Sequence, residues 1–574
     1  MITDRQARTP TRFDEPGNHR PRSARWRAER LNPPHRLWGS NGIAFGPDRR
    51  LYVAEFLAGR VSAVDPATGD LEVIVPMDGP VQSPDDLAFG ADGSMYIADL
   101  VPGRVWRRSP DGTYTLVSDQ VQVPNGITCI GDRLFVNEMK FDGRLLELFP
   151  DGGDPVVLTD GLALGNAMQR GPDGCLYYPH MVTGQVWRIP PDGGEPEVVA
   201  HDVHEPVAVR FDQGGVLHVL SRGVEGIVTR IDLHGSGSRS LVVSGLVGLD
   251  NAAFDAENRM FVSSYAAGGI TELHPDGRTR EIVPRGLDGP YGVTVAPGGT
   301  VYAADHYRLA TPAATHEGEP ATVVRAGDPG GGVTSLTLLP PAVHGVAAAD
   351  GLVHCTSQYG DVHTYDPEQN TTRLRATGLD EPGGIAVGPD GSLVVAETGA
   401  GRIVAVGPDG TITALVEGID HPVDVTFDDE GRAYVSDDRR GTVLRIDDGK
   451  TVTVADGLGA PQGLAASGDE LFVVETDHRR IRVISLTTGA SRVDAEDLPL
   501  GPPPGVVPRA EPALFTPDGM PGVPRRFAGL AATPCGSLLL AAHGEGTVLR
   551  FTPVRDESDD QDDQGSSSTR LGTA

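Results

Sequence analysis

The sequence predicts an all-β chain built from repeated four-stranded antiparallel units, and three observations carry that prediction. Short apolar runs recur in groups at a spacing of about 40 residues, the signature of a repeat architecture. The chain holds 75 glycines and 47 prolines among 574 residues, about 21% against roughly 12% in average usage, and these fall between the runs. No stretch of comparable length shows the 3.6-residue periodicity of a helix.

One unit shows the pattern. Asn41-Gly42-Ile43-Ala44-Phe45 is followed by the turn Gly46-Pro47-Asp48, and Leu51-Tyr52-Val53-Ala54-Glu55 is the second run. The third run is Gly59 to Asp65; Pro66-Ala67-Thr68-Gly69 turns the chain again, and Leu71 to Val75 is the fourth. Turns of this chemistry supply the dihedral angles that tight reversals need, so the four runs form an antiparallel meander. First strands restart near Gly42, Asp86, Gly126, Ala167, Ala208, Asn251, Gly292, Gly345, Gly384, Asp424, Gly463 and Gly529. A four-stranded meander at this period is a β-propeller blade. Twelve blades exceed the usual four to eight, which favours tandem β-propellers, two six-bladed rings, over a less even division into seven and five. The expected rings are 38–290 and 291–554.

The ends differ. Residues 1–37 carry nine arginines against four acids and read as mostly disordered, with Arg25–Leu31 as a strand that closes a ring by completing the last unit. The acidic, serine-rich segment 555–574 reads as disordered. Two insertions, Tyr307–Pro320 and Leu500–Arg526, interrupt the second half.

Formal charge is −31, which disfavours nucleic acid and anionic lipid as partners of the whole chain. Only Lys140 and Lys450 among the 48 basic residues are lysines. The four cysteines lack metal or disulfide spacing, no run approaches a membrane span, and no secretory signal is legible. The expectation is a cytoplasmic monomer with a small-molecule substrate, a protein partner being left open. No phosphate-binding or dinucleotide fingerprint is present, so no nucleotide cofactor is expected. His201-x-x-His204 lacks partners that would complete a zinc site.

Several phrases carry a resemblance: Val394-Val395-Ala396-Glu397-Thr398-Gly399-Ala400-Gly401-Arg402-Ile403, Val473-Val474-Glu475-Thr476-Asp477-His478-Arg479-Arg480-Ile481 and Pro124-Asn125-Gly126-Ile127. With these the units resemble the NHL-repeat and SMP-30/gluconolactonase/LRE-like propeller families, over roughly residues 39–552. Such folds serve enzymes and binding modules alike.

In a blade, the residue before the first strand and the residue ending the second share one face, so both are expected at the channel mouth. In the first ring the former are Asn41, Asp85, Asn125, Asn166, Val207 and Asp250; the latter are Glu55, Asp99, Glu138, His180, Ser221 and Ser264. Hard oxygen donors converging on an axis suit Ca²⁺ foremost, with Mg²⁺ or Zn²⁺ as alternatives. The resemblance implies the same kind of divalent site, with Pro124-Asn125-Gly126 matching a ligand segment and Asn166 standing where the family has aspartate. The expected ligands are Asp85, Asn125, Asn166 and Asp250. Glu55, Asp99, Glu138 and His180 are candidates for proton transfer, and Asn41 and Lys140 for substrate contact. Each has a plainer reading: Asn and Asp before glycine are common turn residues, and a lysine is usually solvated.

A rival site is expected at the second mouth from His306, His344, Glu397 and His543, overhung by both insertions. The expected function is divalent-metal-dependent hydrolysis of a lactone or ester at the first mouth. The alternatives are a noncatalytic propeller and a lyase or cyclase acting on a ring substrate.

Overall fold

The computed structural model describes residues 9–233, 235–312 and 332–554. Within them the chain forms eleven antiparallel sheets, ten of four strands and one of six. In the first full sheet Ser40–Phe45, Leu51–Glu55, Arg60–Val64 and Leu71–Val75 pair in chain order. Its reversals follow from local chemistry. Arg49 takes a left-handed φ of 65° after the Gly46-Pro47-Asp48 turn, and Gly69, at φ 76°, donates its N–H to the Asp65 carbonyl. Leu51–Glu55 and Arg60–Val64 are buried throughout, whereas Leu71–Val75 is partly exposed, as an edge strand should be.

The sheets fall into two arrays. In the first, the inner strands Ser40–Phe45, Pro84–Phe89 and Pro124–Ile130 are neighbours in turn, then Gln169–Arg170, Pro206–Phe211 and Leu249–Phe254. The last of these also lies against the first. In the second array Val293–Val295, the end of Val333–Ala349, Pro382–Val387, Pro422–Phe427, Pro461–Ser467 and Leu530–Ala532 follow one another, and the last lies against Val293–Val295. Apolar side chains fill the gaps between adjacent sheets, as Tyr96, Val105, Ile127, Leu134 and Leu146 do between the second and third. At about 1.5–3 kcal/mol for each fully buried large side chain, these interfaces hold the arrays together.

Three regions depart from the sequence-based expectation. Two expected units merge into the six-stranded sheet, because Val301–Pro312 and Val333–Ala349 run on as strands of 12 and 17 residues. They form a long hairpin rather than a loop: Leu309, Leu336 and Leu339 have a core to cover at Tyr302, Val353 and Tyr365. The expected insertion Tyr307–Pro320 is therefore strand over 307–312, and its remainder lies outside the described residues. One inner strand shrinks to Gln169–Arg170, its place on the array partly taken by a parallel bridge from Ala167 to Ala208.

The third departure is the arginine-rich start, which is packed over residues 9–37 and not only at the closing strand expected over Arg25–Leu31. Trp26–Arg30 pairs antiparallel with Thr547–Pro553, in register Trp26 to Pro553 through Arg30 to Leu549. The basic arm finds acids on the body: Arg22 meets Asp497, Arg25 meets Glu470 and Asp494, and Arg30 meets Glu545. Arg12 is buried between the arrays, donating to the carbonyls of Leu37, Leu287, Asp288, Gly289 and His543. The whole first array thus lies between two consecutive strands of the second. The expected disordered tail 555–574 lies outside the described residues. None of the four cysteines forms a disulfide, and no helix among the described residues is long and apolar enough to cross a membrane.

Candidate active site

At the start of the first array's inner strands lies a cavity of about 190 Å³. Asn41, Asp85, Asn125, Asn166, Val207 and Asp250 all line it, one from each of the six units. The geometry depends on close packing of backbones. A side chain at Gly126 would put its Cβ 2.2 Å from the Asn166 carbonyl oxygen, so only glycine lets the Pro124-Asn125-Gly126 segment sit against its neighbour.

Asp85 is clamped by two amides: Asn41 Nδ2 donates to its Oδ2 at 3.2 Å and Asn125 Nδ2 to its Oδ1 at 2.7 Å. Burial holds the Asp85 carboxyl well above the usual range, and the nearby charges of Asp250 and Asp86 add to this. Asp250 is pushed up to about 7, again chiefly by burial and then by Asp86, with Arg222 and Arg210 opposing. Behind this pair, the buried Arg210 guanidinium binds Asn251 and three carbonyls and stands 3.9 Å from Asp86.

The Oδ1 of Asn125 is buried with no hydrogen-bond partner. Asn166 is turned the other way: its Oδ1 accepts the Ala167 N–H at 2.6 Å, and its NH₂ faces the sulfurs of Met139 and Met181. Of the four expected ligands, Asp85, Asp250 and Asn125 therefore present oxygen and Asn166 does not. Among the described residues, no group of three or more His, Cys, Asp or Glu side chains is placed to hold a metal. A hard cation is compatible with the set of two carboxylates and one unsatisfied amide oxygen.

The residues expected at the ends of the second strands are elsewhere. Glu55 pairs with Arg60 and accepts the N–H of Trp38; Glu138 pairs with Arg144 and accepts that of Gln122. Asp99 accepts the N–H groups of Gln82 and Ser83 and the indole of Trp106, and burial raises it to about 6. His180 stacks on Trp187 at 5.1 Å, and burial lowers it to about 4. None of the four lines the cavity. Glu55, Asp99 and Glu138 fasten the loop before each first strand, and Glu397 with Arg402 and Glu475 with Arg480 do the same in the second array.

The cavity wall is made by the residues one position later: Phe56, Leu100, Met139, Met181, Arg222 and Tyr265. Side chains alternate along a strand, so a one-residue shift exchanges the two faces. The buried polar residues mark a repeated position, and the cavity wall falls to their neighbours. Arg222 lies over the Tyr265 ring at 5.4 Å. Lys140 is bonded to Gln122 and stands 3.5 Å from Asp518, and it does not line the cavity.

The second array and the long insertion supply the roof. His306, Tyr307 and Pro341 come from the hairpin, and Met520 and Pro521 from the segment 500–526. Tyr307 meets Tyr265 edge-on at 4.8 Å, across the two arrays. His306 has φ 48°, at the irregularity where the hairpin leaves the sheet. It is buried, its Nδ1 has no partner, and burial lowers its pKa to about 4.

The expected rival site is therefore not assembled. His306 belongs to the first array's cavity, and His344 is stacked between Tyr291 and Phe527. Glu397 is held by Arg402, and His543 lines a different cavity.

Residues 348–562 match the family model of the SMP-30/gluconolactonase/LRE-like region. No curated protein matches the chain. Among solved structures, a streptogramin B lyase is 18% identical, covering 49% of this chain and 95% of its own, with a TM-score of 0.36. A catalytically inactive virginiamycin B lyase from Staphylococcus aureus, with quinupristin, is 16% identical over 49% and 96%, with a TM-score of 0.35. A gluconolactonase from Xanthomonas campestris is 18% identical over 42% and 91%, with a TM-score of 0.36.

Proposed function

We propose that the chain forms two six-bladed propellers, 38–290 and 291–554, and that the cavity at the mouth of the first is the active site of a small-molecule hydrolase or lyase. The cyclic order of inner strands in each array supports the first part. One observation carries the second: two buried, strongly perturbed carboxyl groups and an unsatisfied amide oxygen converge in one cavity with an apolar side wall.

The reading is of a divalent-metal-dependent enzyme of gluconolactonase type, acting on a lactone or ester. Asp85, Asp250 and Asn125 would hold the ion, Ca²⁺ by the hardness of the donors. When bound it would polarise a carbonyl oxygen. The apolar wall of Phe56, Leu57, Leu100, Met139 and Met181 excludes water and receives the body of the substrate. Arg222 lies where negative charge on an oxygen is balanced. His306 is neutral at pH 7, and its free Nδ1 is the atom that takes up or returns a proton. Ring opening by water and elimination both need this set, so hydrolase and lyase share the proposal.

The lack of a cluster of three acidic, His or Cys ligands among the described residues favours a second reading, in which the cavity binds a small molecule without turning it over. Elemental analysis after dialysis against calcium separates the two. Near-stoichiometric metal, lost in Asp250→Ala, with turnover of lactones lost in Asp250→Ala and His306→Ala, is expected. Protein free of metal, with no turnover of any lactone or ester, would overturn the metal-dependent reading in favour of binding alone.

A further inference from the structure

The second array's mouth holds a separate cavity of about 470 Å³, walled by the segment 500–526 and by residues of three sheets. Its chemistry is unlike that of the first. Gln462, His421 and His543 line it together with Arg479, Arg525 and Arg526.

In a chain with 79 acidic residues against 48 basic ones, an arginine normally finds a carboxylate. Arg525 does so, pairing with Glu381 at 2.8 Å. The other two do not. Arg479 donates to the Pro502 carbonyl at 2.8 Å and lies over the Phe13 ring. Arg526 lies over the Trp38 ring at 5.2 Å, and among the described residues its guanidinium makes no hydrogen bond or ion pair. Burial lowers the pKa of both. None of the carboxylates that share this wall forms an ion pair with either: Asp438 is taken by His421, Asp477 is exposed to water, and Glu511, also exposed, acts on Arg526 only at a distance.

His543 gives an independent sign. It is 2% exposed, and its Nε2 accepts the Gly501 N–H at 3.0 Å. A neutral imidazole that accepts at Nε2 carries its proton on Nδ1. That Nδ1 is buried and completes no hydrogen bond, although the Phe527 carbonyl is near enough to act on the ring. A donor left unsatisfied beside two guanidinium groups without carboxylate partners is a site short of an acceptor.

We propose that this cavity binds the oxyanion of a small organic acid or phosphate ester, held by Arg526 and Arg479 with His543 Nδ1–H as a third donor. Planar guanidinium forks suit carboxylate and phosphate oxygens equally. The wall is preformed, because the prolines of the segment fix its backbone.

Calorimetric titration of the full chain at low salt with succinate, inorganic phosphate and neutral succinamide tests this. Succinate or phosphate, whichever the site takes, is expected to bind saturably, with succinamide at least 10-fold weaker. Binding should weaken at least 10-fold in Arg526→Gln and in Arg479→Gln, recover in part in Arg526→Lys, and be unchanged in Arg278→Gln on the surface. Quenching or shift of Trp38 fluorescence on titration should follow the same order, and the melting temperature of each variant shows that it is folded. Absence of saturable binding by both anions, or binding that survives both glutamine variants, would overturn the proposal.

Discussion

The two arrays place different chemistry at the same point of the same scaffold. Where the first array's inner strands begin, the chain has Asn41, Asp85, Asn125, Asn166, Val207 and Asp250; at the equivalent places in the second it has Tyr291, His344, Gly383, Val423, Gln462 and Ala528. The first mouth is a pocket of oxygen donors whose carboxyl groups are raised. The second is a stack of aromatic rings and imidazoles beside arginines, whose histidines are lowered. The family match falls on residues 348–562, in the array without the carboxylate pair. Likeness of sequence here follows the turns and staples that build a sheet, and the residue entering each inner strand sets the chemistry separately.

The largest expected effect comes from acid. Burial lowers His344 and His543 to about 3 and His306 to about 4, against an unfolded value near 6.5. A histidine whose folded pKa is depressed contributes stability that is complete above 6.5 and lost as pH falls below it. Between pH 6.5 and 5 each costs about 2 kcal/mol by linkage. The melting temperature should fall steeply over that window, and His344→Phe, which keeps the stack between Tyr291 and Phe527, should flatten the fall. An unchanged pH profile in that variant would remove the contrast between the mouths.

Next in size are the staples. Glu475→Ala strands Arg480 and Arg482 and should cost about 3 kcal/mol in denaturant unfolding. Asp250→Asn acts in the opposite direction. Its folded pKa of about 7 lies above the unfolded 3.8, so wild-type stability falls as pH rises between them. The variant should match wild type at pH 4 and exceed it by about 1–3 kcal/mol at pH 8, read by the same unfolding curves. A loss at pH 8 would show that the carboxylate is a structural partner and not a functional one.

Gly126→Ala should cost about 1–3 kcal/mol, because its Cβ meets the Asn166 carbonyl. Thermal melts check this, together with loss of whatever binds beside Asn125. Lys140→Ala is the smallest change. Its pair with Asp518 is solvent-reached, and such pairs contribute about 0–1 kcal/mol, so melting and ligand binding should both stay as they are.

The residues preceding the inner strands were legible in the sequence because each follows a turn and opens an apolar run, a pattern that repeats. Their neighbours in the cavity wall were not. Glu55, Glu138 and Glu475 are conspicuous acids at a repeated position, but alternation along the strand turns them toward Arg60, Arg144 and Arg480. The wall falls instead to Phe56 and Met139, ordinary apolar residues with no signal of their own. Arg12 and Arg22 were misread for a similar reason. Clustered charge in a proline-rich stretch resembles solvated chain until the carbonyls and carboxylates that receive it, most of them more than 250 positions away, are assembled around it.

Trp26–Arg30 pairs with Thr547–Pro553, and this has a consequence for synthesis. The ribosome releases the first partner some 500 residues before the second, and at about 5–20 residues per second the wait is roughly half a minute to two minutes. During that interval the inserted first array has all its strands and can finish folding. The arm that will close the second stays on the growing chain as an unpaired strand with Trp26 uncovered. A nascent chain stopped short of residue 547 should therefore carry a completed acidic cavity whose roof is still unsettled, and the aromatic mouth should be the last part of the molecule to come into being.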